Sequence, residues 1–309
     1  MSMPSKRKQP ARTRTKPQAE PKAKTKPKPG TGALIVIEHI GKEDWIIKTP
    51  RVGEQSLDLL DLGLDCLEED PAKAAKIFRA LYEEHPEDID AVQHLCLALD
   101  ALKREDESFE LRQRVFRQLR QAFPASFSPR QHRLQWGFIE NRPFLRLYLS
   151  YGLALLRRGA LTEAVGILED LLSLNPDDNQ GARGTLVTCY LGMGQPERAL
   201  AVCARYPADV LEDVLYGRAL ALFQTGALRL AAKAGKQAVA QWPLVAIELI
   251  KPTHRKPRGA NEIRVIMGGP EQAWLYWKRA GDLWARTPGA LDFLRKQVFR
   301  PIRRKSSAP

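Results

Sequence analysis

The pattern of hydrophobic and polar positions changes character near residue 55. Upstream, residues 33–40 are apolar and partly β-branched, 41–44 are typical of a turn, and 45–47 can form a returning strand. We therefore predict a small β-hairpin within a linking segment, 33–54. From about residue 55, apolar residues recur every three to four positions, which predicts helices as far as about residue 250.

An internal repeat underlies the helical periodicity. Gly152 and Ala164 are small where two helices must approach closely, Gly159 can adopt a left-handed conformation after the first helix, and Pro176 ends the second. Counted from Leu145, the residues that set the spacing are Tyr148, Tyr151, Gly152, Leu155, Gly159, Ala164, Leu168 and Pro176. This unit resembles a tetratricopeptide repeat, with aliphatic residues at two of its aromatic positions.

Weaker copies of the unit lie on both sides of it. They are marked by Gly194 and Ala199, Gly226 and Ala231, Ala74, Phe78 and Pro86, and Phe116 and Pro124. The upstream first helices are degenerate, and the copy at 55–86 needs a one-residue slip. We predict an all-α, right-handed tetratricopeptide-like solenoid of about four to five helix pairs over 55–250. A basic loop, 251–270, and C-terminal capping helices, 271–299, are expected to follow.

A wider resemblance runs through 136–144, 174–181 and 287–291. Over roughly 55–299 the chain is similar to a group of poorly characterised bacterial tetratricopeptide-repeat proteins. The resemblance implies a shared architecture and no established reaction. We found none of the common nucleotide-binding, metalloprotease or serine-hydrolase motifs, so we predict a protein that is not an enzyme and has no cofactor or metal.

Charge divides the chain into an acidic body and two basic ends. The 309 residues carry a net charge of +13, of which 1–32 contribute +9 and 251–309 contribute +10, leaving −6 for 33–250. We expect 1–32 to be a disordered Lys/Pro-rich tail and 300–309 a second basic tail. Candidate phosphate contacts are Lys6, Arg7, Lys8, Arg12, Arg14 and Lys16. Nucleic acid, anionic lipid and the acidic region 55–110 would all attract such a tail, which can also act simply as a solubilising segment.

Location is predicted from what the sequence lacks. No run of eighteen apolar residues suggests a transmembrane helix, and the basic N-terminus has no apolar stretch typical of a secretory signal. The four cysteines are far apart and have apolar neighbours, which is typical of reduced thiols. We therefore expect a cytoplasmic protein.

The concave wall of the solenoid is the predicted binding site. The first helices of the repeats place mainly apolar residues there, with arginines at the margin, which suits an amphipathic helix or an extended peptide. The candidate residues are Arg146, Leu149, Leu153, Arg157, Thr188, Tyr216, Leu220 and Phe223. In a short superhelix the helices can also fill their own groove, so some of these leucines can belong to the core.

Two further groups leave alternatives open. Asn141 is expected to cap the following helix, although the neighbouring Arg142 could bind a partner's carboxylate. Trp274, Trp277 and Trp284 share a helix face and are expected in the core, although such a stripe could also stack on a ligand. We predict a protein-interaction scaffold or adaptor, with a nucleic-acid-associated factor that uses both basic ends as the alternative.

Overall fold

The computed structural model describes residues 35–50, 53–258 and 265–298. The two predicted basic tails and the six candidate phosphate contacts lie outside the described residues, so these predictions stay untested. Within the described part of the chain, no helix has both the length and the apolar character needed to cross a membrane.

The predicted hairpin is present. Strand β1 (Val36–Gly41) pairs antiparallel with β2 (Asp44–Lys48), and Lys42 turns between them with a positive φ of 30°. The hairpin is held by the segment just before the third helix pair, because the Trp45 amide donates to the Arg133 carbonyl at 2.9 Å and the Arg133 amide donates to the Glu43 carbonyl at 2.7 Å. It therefore contacts the middle of the chain.

Five consecutive helix pairs follow, which confirms the predicted tetratricopeptide-like helical fold. In each pair the two helices are joined by a short loop and pack on each other. The pairs are α1 (Glu54–Glu69) with α2 (Pro71–Glu84), α3 (Ile89–Ala101) with α4 (Glu105–Ala122), α5 (Arg142–Arg157) with α6 (Leu161–Leu174), α7 (Ala182–Gly192) with α8 (Pro196–Arg205), and α9 (Glu212–Gln224) with α10 (Leu228–Gln241).

The small residues of the repeat take the positions that their spacing predicts. The glycines after the first helices have positive φ values of 75°, 68° and 76°, at Gly159, Gly194 and Gly226. The alanines five residues later are fully buried, at Ala164, Ala199 and Ala231. In the second pair, Lys103 takes the glycine position with φ 62°, and buried Ser108 takes the alanine position, donating its hydroxyl to the Cys96 carbonyl at 3.0 Å. These two replacements weaken the signal of this repeat in the sequence, where only Phe116 and Pro124 mark it.

Three further helices close the C-terminal end: α11 (Pro243–Ile250), α12 (Pro270–Arg286) and α13 (Ala290–Val298). Helix α12 packs on α7, α9 and α11, and α13 packs on α10 and α11. Trp284 is fully buried, with its ring centroid 6.3 Å from that of Tyr216, and its indole N–H donates to the Tyr276 hydroxyl at 3.2 Å. Its expected core role is confirmed.

Candidate functional site

Four of the eight predicted groove residues line one shallow cavity of about 230 Å³. Arg146, Leu149, Leu153 and Arg157 recur at intervals of three or four residues, so they form a single stripe along α5. The cavity is completed by residues of α3, α4 and the loop before α7. Its remaining lining residues are Gln93, Leu97, Asp100, Arg112, Ser150 and Gln180. We call this cavity the α3–α5 groove.

The floor of the α3–α5 groove is apolar and accessible. Leu149 and Leu153 are half-buried, and Leu97 on α3 is 39% exposed. The opposite face of α5 is buried: Leu145, Tyr148 and other large residues pack into the core there. Helix α5 thus uses one face for the core and leaves the other open toward α3.

Ion pairs between α3 and α5 border this floor. The Arg146 guanidinium lies 2.9 Å from the Asp90 carboxylate, and Arg157 lies 3.3 Å from Asp100. Asp100 also binds Arg112, which is almost completely buried, at 2.8 Å. A buried guanidinium needs such a partner because the loss of hydration is costly. The marginal arginines therefore already have carboxylate partners within the chain.

Polar groups at the same wall include an acceptor that has no partner among the described residues. The Ser150 hydroxyl donates to Gln93 Oε1 at 2.8 Å, so that pair is satisfied. The Gln180 Oε1 atom is buried without a hydrogen bond in this part of the structure. Gln180 lines the groove, but this oxygen is itself enclosed by protein atoms and is not open to a bound chain.

Tyr216 and Leu220 are not part of an open groove. Both side chains are fully buried, because the capping helices cover this end of the concave wall. The Tyr216 ring lies 5.5 Å from that of Tyr276 on α12, and its hydroxyl donates to the Trp242 carbonyl at 2.7 Å. Tyr216 and Leu220 are therefore inaccessible to a partner in this structure, contrary to the expectation from the sequence.

Thr188 and Phe223 also lie near the capping helices rather than with the α5 stripe. The Thr188 hydroxyl donates to the Gly184 carbonyl at 3.2 Å. The Phe223 ring lies 4.9 Å from that of Phe293 on α13. Phe223 lines a separate cavity of about 520 Å³, with Leu191, Gly192, Gly194, Gln224, Arg286, Thr287 and Pro288.

Asn141 has a different role from the predicted one. Its side chain forms no capping hydrogen bond with α5. It accepts from the Ile47 amide at 3.0 Å and donates to the Trp45 carbonyl at 3.1 Å, so it holds the backbone of β2. The expectation of a helix cap is therefore wrong. Arg142 donates to the Trp136 carbonyl at 3.0 Å and lies over the Trp136 ring, which gives it partners within the chain.

Three cysteines and one histidine that could act as nucleophiles or bases are buried or partly buried, and burial favours their neutral forms. Burial raises the pKa of the Cys96 and Cys189 thiols to about 11 and that of Cys203 to about 12, so all three stay protonated at neutral pH. Burial also lowers the pKa of His94, whose ring lies 5.4 Å from that of Phe78. Over 35–50, 53–258 and 265–298, no three His, Cys, Asp or Glu side chains form a group that could hold a metal ion.

A basic and aromatic surface lies where the segment after α11 contacts α12. The ammonium groups of Lys256 and Lys278 lie 5.7 and 5.6 Å from the centre of the Trp274 ring. The His254 ring stacks on Trp277 at 3.9 Å. Of the three tryptophans, Trp274 thus lies beside two ammonium groups, Trp277 stacks on a histidine ring, and only Trp284 is fully buried.

Comparisons with known proteins agree with the repeat architecture. Residues 155–223, from the end of α5 into α9, match the family model described as tetratricopeptide repeat. This region of the chain therefore contains tetratricopeptide repeats, as the spacing of its small residues predicts. No curated protein matches the sequence.

Several solved structures of repeat proteins are similar to this chain. The MamA RS-1 ArsTM double mutant is 14% identical, with 62% of this chain and 96% of that chain covered and a TM-score of 0.47. YrrB, described as a TPR protein with an unusual peptide-binding site, is 14% identical, with coverages of 61% and 87% and a TM-score of 0.45. A tetratricopeptide repeat protein from Parabacteroides merdae is 12% identical, with coverages of 63% and 70% and a TM-score of 0.47.

Proposed function

We propose that the protein is a non-catalytic scaffold or adaptor that binds a peptide or helix of a partner protein in the α3–α5 groove. Tetratricopeptide-repeat proteins mediate protein–protein interactions, and the proposal assigns that role to one surface of this chain. The observation that carries it is the accessible floor formed by Leu97, Leu149 and Leu153 between α3 and α5.

The size of the groove favours a peptide side chain over a small molecule. Its volume of about 230 Å³ is below the range of about 300–1,000 Å³ that is typical of small-molecule sites. An aliphatic or aromatic side chain can bury its surface against the three leucines. Such anchoring side chains provide most of the affinity in peptide recognition, while hydrogen bonds fix the register.

The polar groups suggest which peptides fit. Because Arg146 and Arg157 already contact Asp90 and Asp100, a strongly acidic peptide has to compete with these ion pairs. We therefore expect an apolar, nearly uncharged anchor segment.

The test is selection of peptides followed by measurement of affinity. A displayed library of random twelve-residue peptides is selected on the full-length protein, and the enriched peptides are measured by fluorescence anisotropy. Leu153→Glu places a charge on the apolar floor and should weaken binding at least about tenfold, a change of about 1.4 kcal/mol. Circular dichroism should show unchanged helical content, because Leu153 is only half-buried.

Leu228→Glu is the matched control, since Leu228 lies on α10 and is 57% exposed. The control should bind the selected peptides as the unchanged protein does. Equal binding by Leu153→Glu, or a library without enriched peptides, would contradict the proposal. An unfolded Leu153→Glu variant would show instead that this leucine belongs to the core.

A second candidate function, association with nucleic acid, is favoured by the basic and aromatic surface beside α12. Arg255, Lys256 and Arg258 are exposed in this segment, and Lys256 lies over the Trp274 ring. Binding of a labelled single-stranded RNA should then fall steeply between 50 and 200 mM salt, because phosphate contacts release counterions. Peptide binding in the apolar groove should change little over the same range.

A further inference from the structure

The hairpin leaves one edge of its two-stranded sheet open. Strand β1 pairs with β2 on one side and has no backbone partner on its other side within the described part of the chain. We call this unpaired side the β1 edge. The opposite edge of the sheet, on β2, is held by the segment before α5. An open strand edge presents backbone donors and acceptors that can pair with another extended chain.

Hydrogen bonds of β2 show which groups of β1 face outward. The Trp45 amide and carbonyl and the Ile47 amide all bond to the segment before α5, so these groups point away from β1. In an antiparallel pair, the residues directly opposite them also point their N–H and C=O groups away from the shared side. Those residues are His39 and Ile37, and their backbone groups therefore lie along the β1 edge.

The β1 edge is accessible. Strand β1 packs chiefly on β2, and most of its residues are exposed, including Val36 at 52% and Ile40 at 41%. It contains neither Pro nor Lys, the residues that commonly protect the edges of natural sheets. The charges of the hairpin are nearly balanced, so a second hairpin would meet little repulsion. They are those of Glu38, Glu43, Asp44, Lys42 and Lys48.

We propose that the β1 edge pairs antiparallel with the β1 edge of a second copy of this chain. The second copy's β1 is already extended and held by its own β2, so this pairing orders less backbone than the capture of a flexible peptide does. The segment 1–32 is a poorer occupant because it is rich in proline, which lacks the N–H donor. A two-fold pair places both β2 strands outermost, where the segment before α5 holds them, so association stops at two copies.

The residues of β1 select one register for this pair. A two-fold axis at Glu38 would bring two carboxylates directly opposite each other, which is unfavourable. An axis at His39 would use Gly41, where the pairing of β1 is irregular. An axis at Ile37 avoids both problems. It places Ile37 opposite the second copy's Ile37, and it places Val36 opposite the second copy's Glu38.

The expected association is weak but measurable. A single pair of short strands buries less area than a stable dimer needs, so we expect a dissociation constant in the micromolar range. Sedimentation of the full-length protein should show a mean mass that rises from monomer toward dimer between about 1 and 200 µM. Because backbone hydrogen bonds carry the contact, the equilibrium should change little between about 0.15 and 0.5 M salt. A monomer throughout, growth beyond a dimer, or association that high salt abolishes would overturn the proposal.

Cysteine variants identify the edge and its register. Val36→Cys and Glu38→Cys change exposed side chains. In the proposed dimer the two positions form a pair with about 4.5 Å between Cα atoms, within the range of about 4.4–6.8 Å that a disulfide spans. Like positions are diagonal, at about 7–8 Å. A mixture of the two variants should therefore form a disulfide-linked dimer on mild oxidation, and either variant alone should not.

The other registers give different results in the same experiment. An axis at Glu38 would cross-link Glu38→Cys with itself, and an axis at His39 would cross-link it with Ile40→Cys. The unchanged protein is the control for the partly exposed Cys66. Either alternative cross-link would overturn the proposed register. A dimer in sedimentation without any cross-link at these positions would place the contact elsewhere and overturn the proposal as a whole.

Discussion

At the C-terminal end of the solenoid, α12 lies against α7 and α9, whereas at the N-terminal end α1 packs, within the described residues, mainly on α2 and to a smaller extent on α3. Leucines of the first helices therefore have opposite environments at the two ends. Leu220 on α9 is fully buried, while Leu59 on α1 is 40% exposed. The comparison shows that a repeat pattern places a leucine on a helix face, but the elements beyond the repeat decide whether that face becomes core or surface.

The largest effect is expected at the covered end. Trp284→Ala should lower the free energy of unfolding by about 3–5 kcal/mol, because it removes a fully buried ring and leaves a cavity beside Tyr216. It also removes the N–H donor that binds the Tyr276 hydroxyl. Urea unfolding followed by circular dichroism measures the loss. A change below about 1 kcal/mol would mean that α12 does not seal this end.

Glycine-to-alanine substitutions where two helices touch should have an intermediate effect on the free energy of unfolding, and this effect should differ between the two ends. A Cβ atom at Gly217 on α9 would lie 2.3 Å from Val187 Cγ1, and one at Gly63 on α1 would lie 2.5 Å from Phe78 Cε1. Gly217→Ala should cost about 1–3 kcal/mol through overpacking. Both variants gain up to about 1 kcal/mol in helix propensity. Gly63→Ala should have the smaller net cost, because α1 can shift toward its open side.

The same unfolding measurement compares the two glycine variants. Equal losses would contradict the difference between the ends, since they would show that α1 is held as firmly as α9. A gain in stability for Gly63→Ala would sharpen the comparison, because the helix propensity of alanine would then exceed the cost of displacing Phe78.

Most of the helical architecture could be predicted because it depends on local geometry. Gly159 is needed where the backbone enters the left-handed region, and Ala164 where two helices meet, so both leave a signal at fixed spacing. The α5 stripe follows from the same local periodicity. The second repeat gives a weaker signal because Lys103 and Ser108 replace the small residues.

The features that could not be predicted depend on contacts between distant segments. Tyr216 is buried by Tyr276 and Trp284, which lie about sixty residues later and outside the repeat. Asn141 precedes a helix, where it is typical of a cap, yet its partners Trp45 and Ile47 come from the hairpin more than ninety residues earlier. Neither relation leaves a local pattern in the sequence.

The smallest effect is expected at the open end. Leu59→Ala should change the free energy of unfolding by no more than about 1 kcal/mol, because 40% of the residue is already exposed and alanine is at least as good a helix former. Leu220→Ala, its buried counterpart on α9, should cost about 2–5 kcal/mol. Both variants are measured by urea unfolding.

A loss of 2 kcal/mol for Leu59→Ala would break the comparison, because it would show that another part of the chain covers α1 in solution. A negligible loss would show that the exposed leucines of this end add little to the stability of the fold. At the C-terminal end the opposite holds, because Tyr216 and Leu220 are already buried beneath α12 and their apolar surface serves the fold.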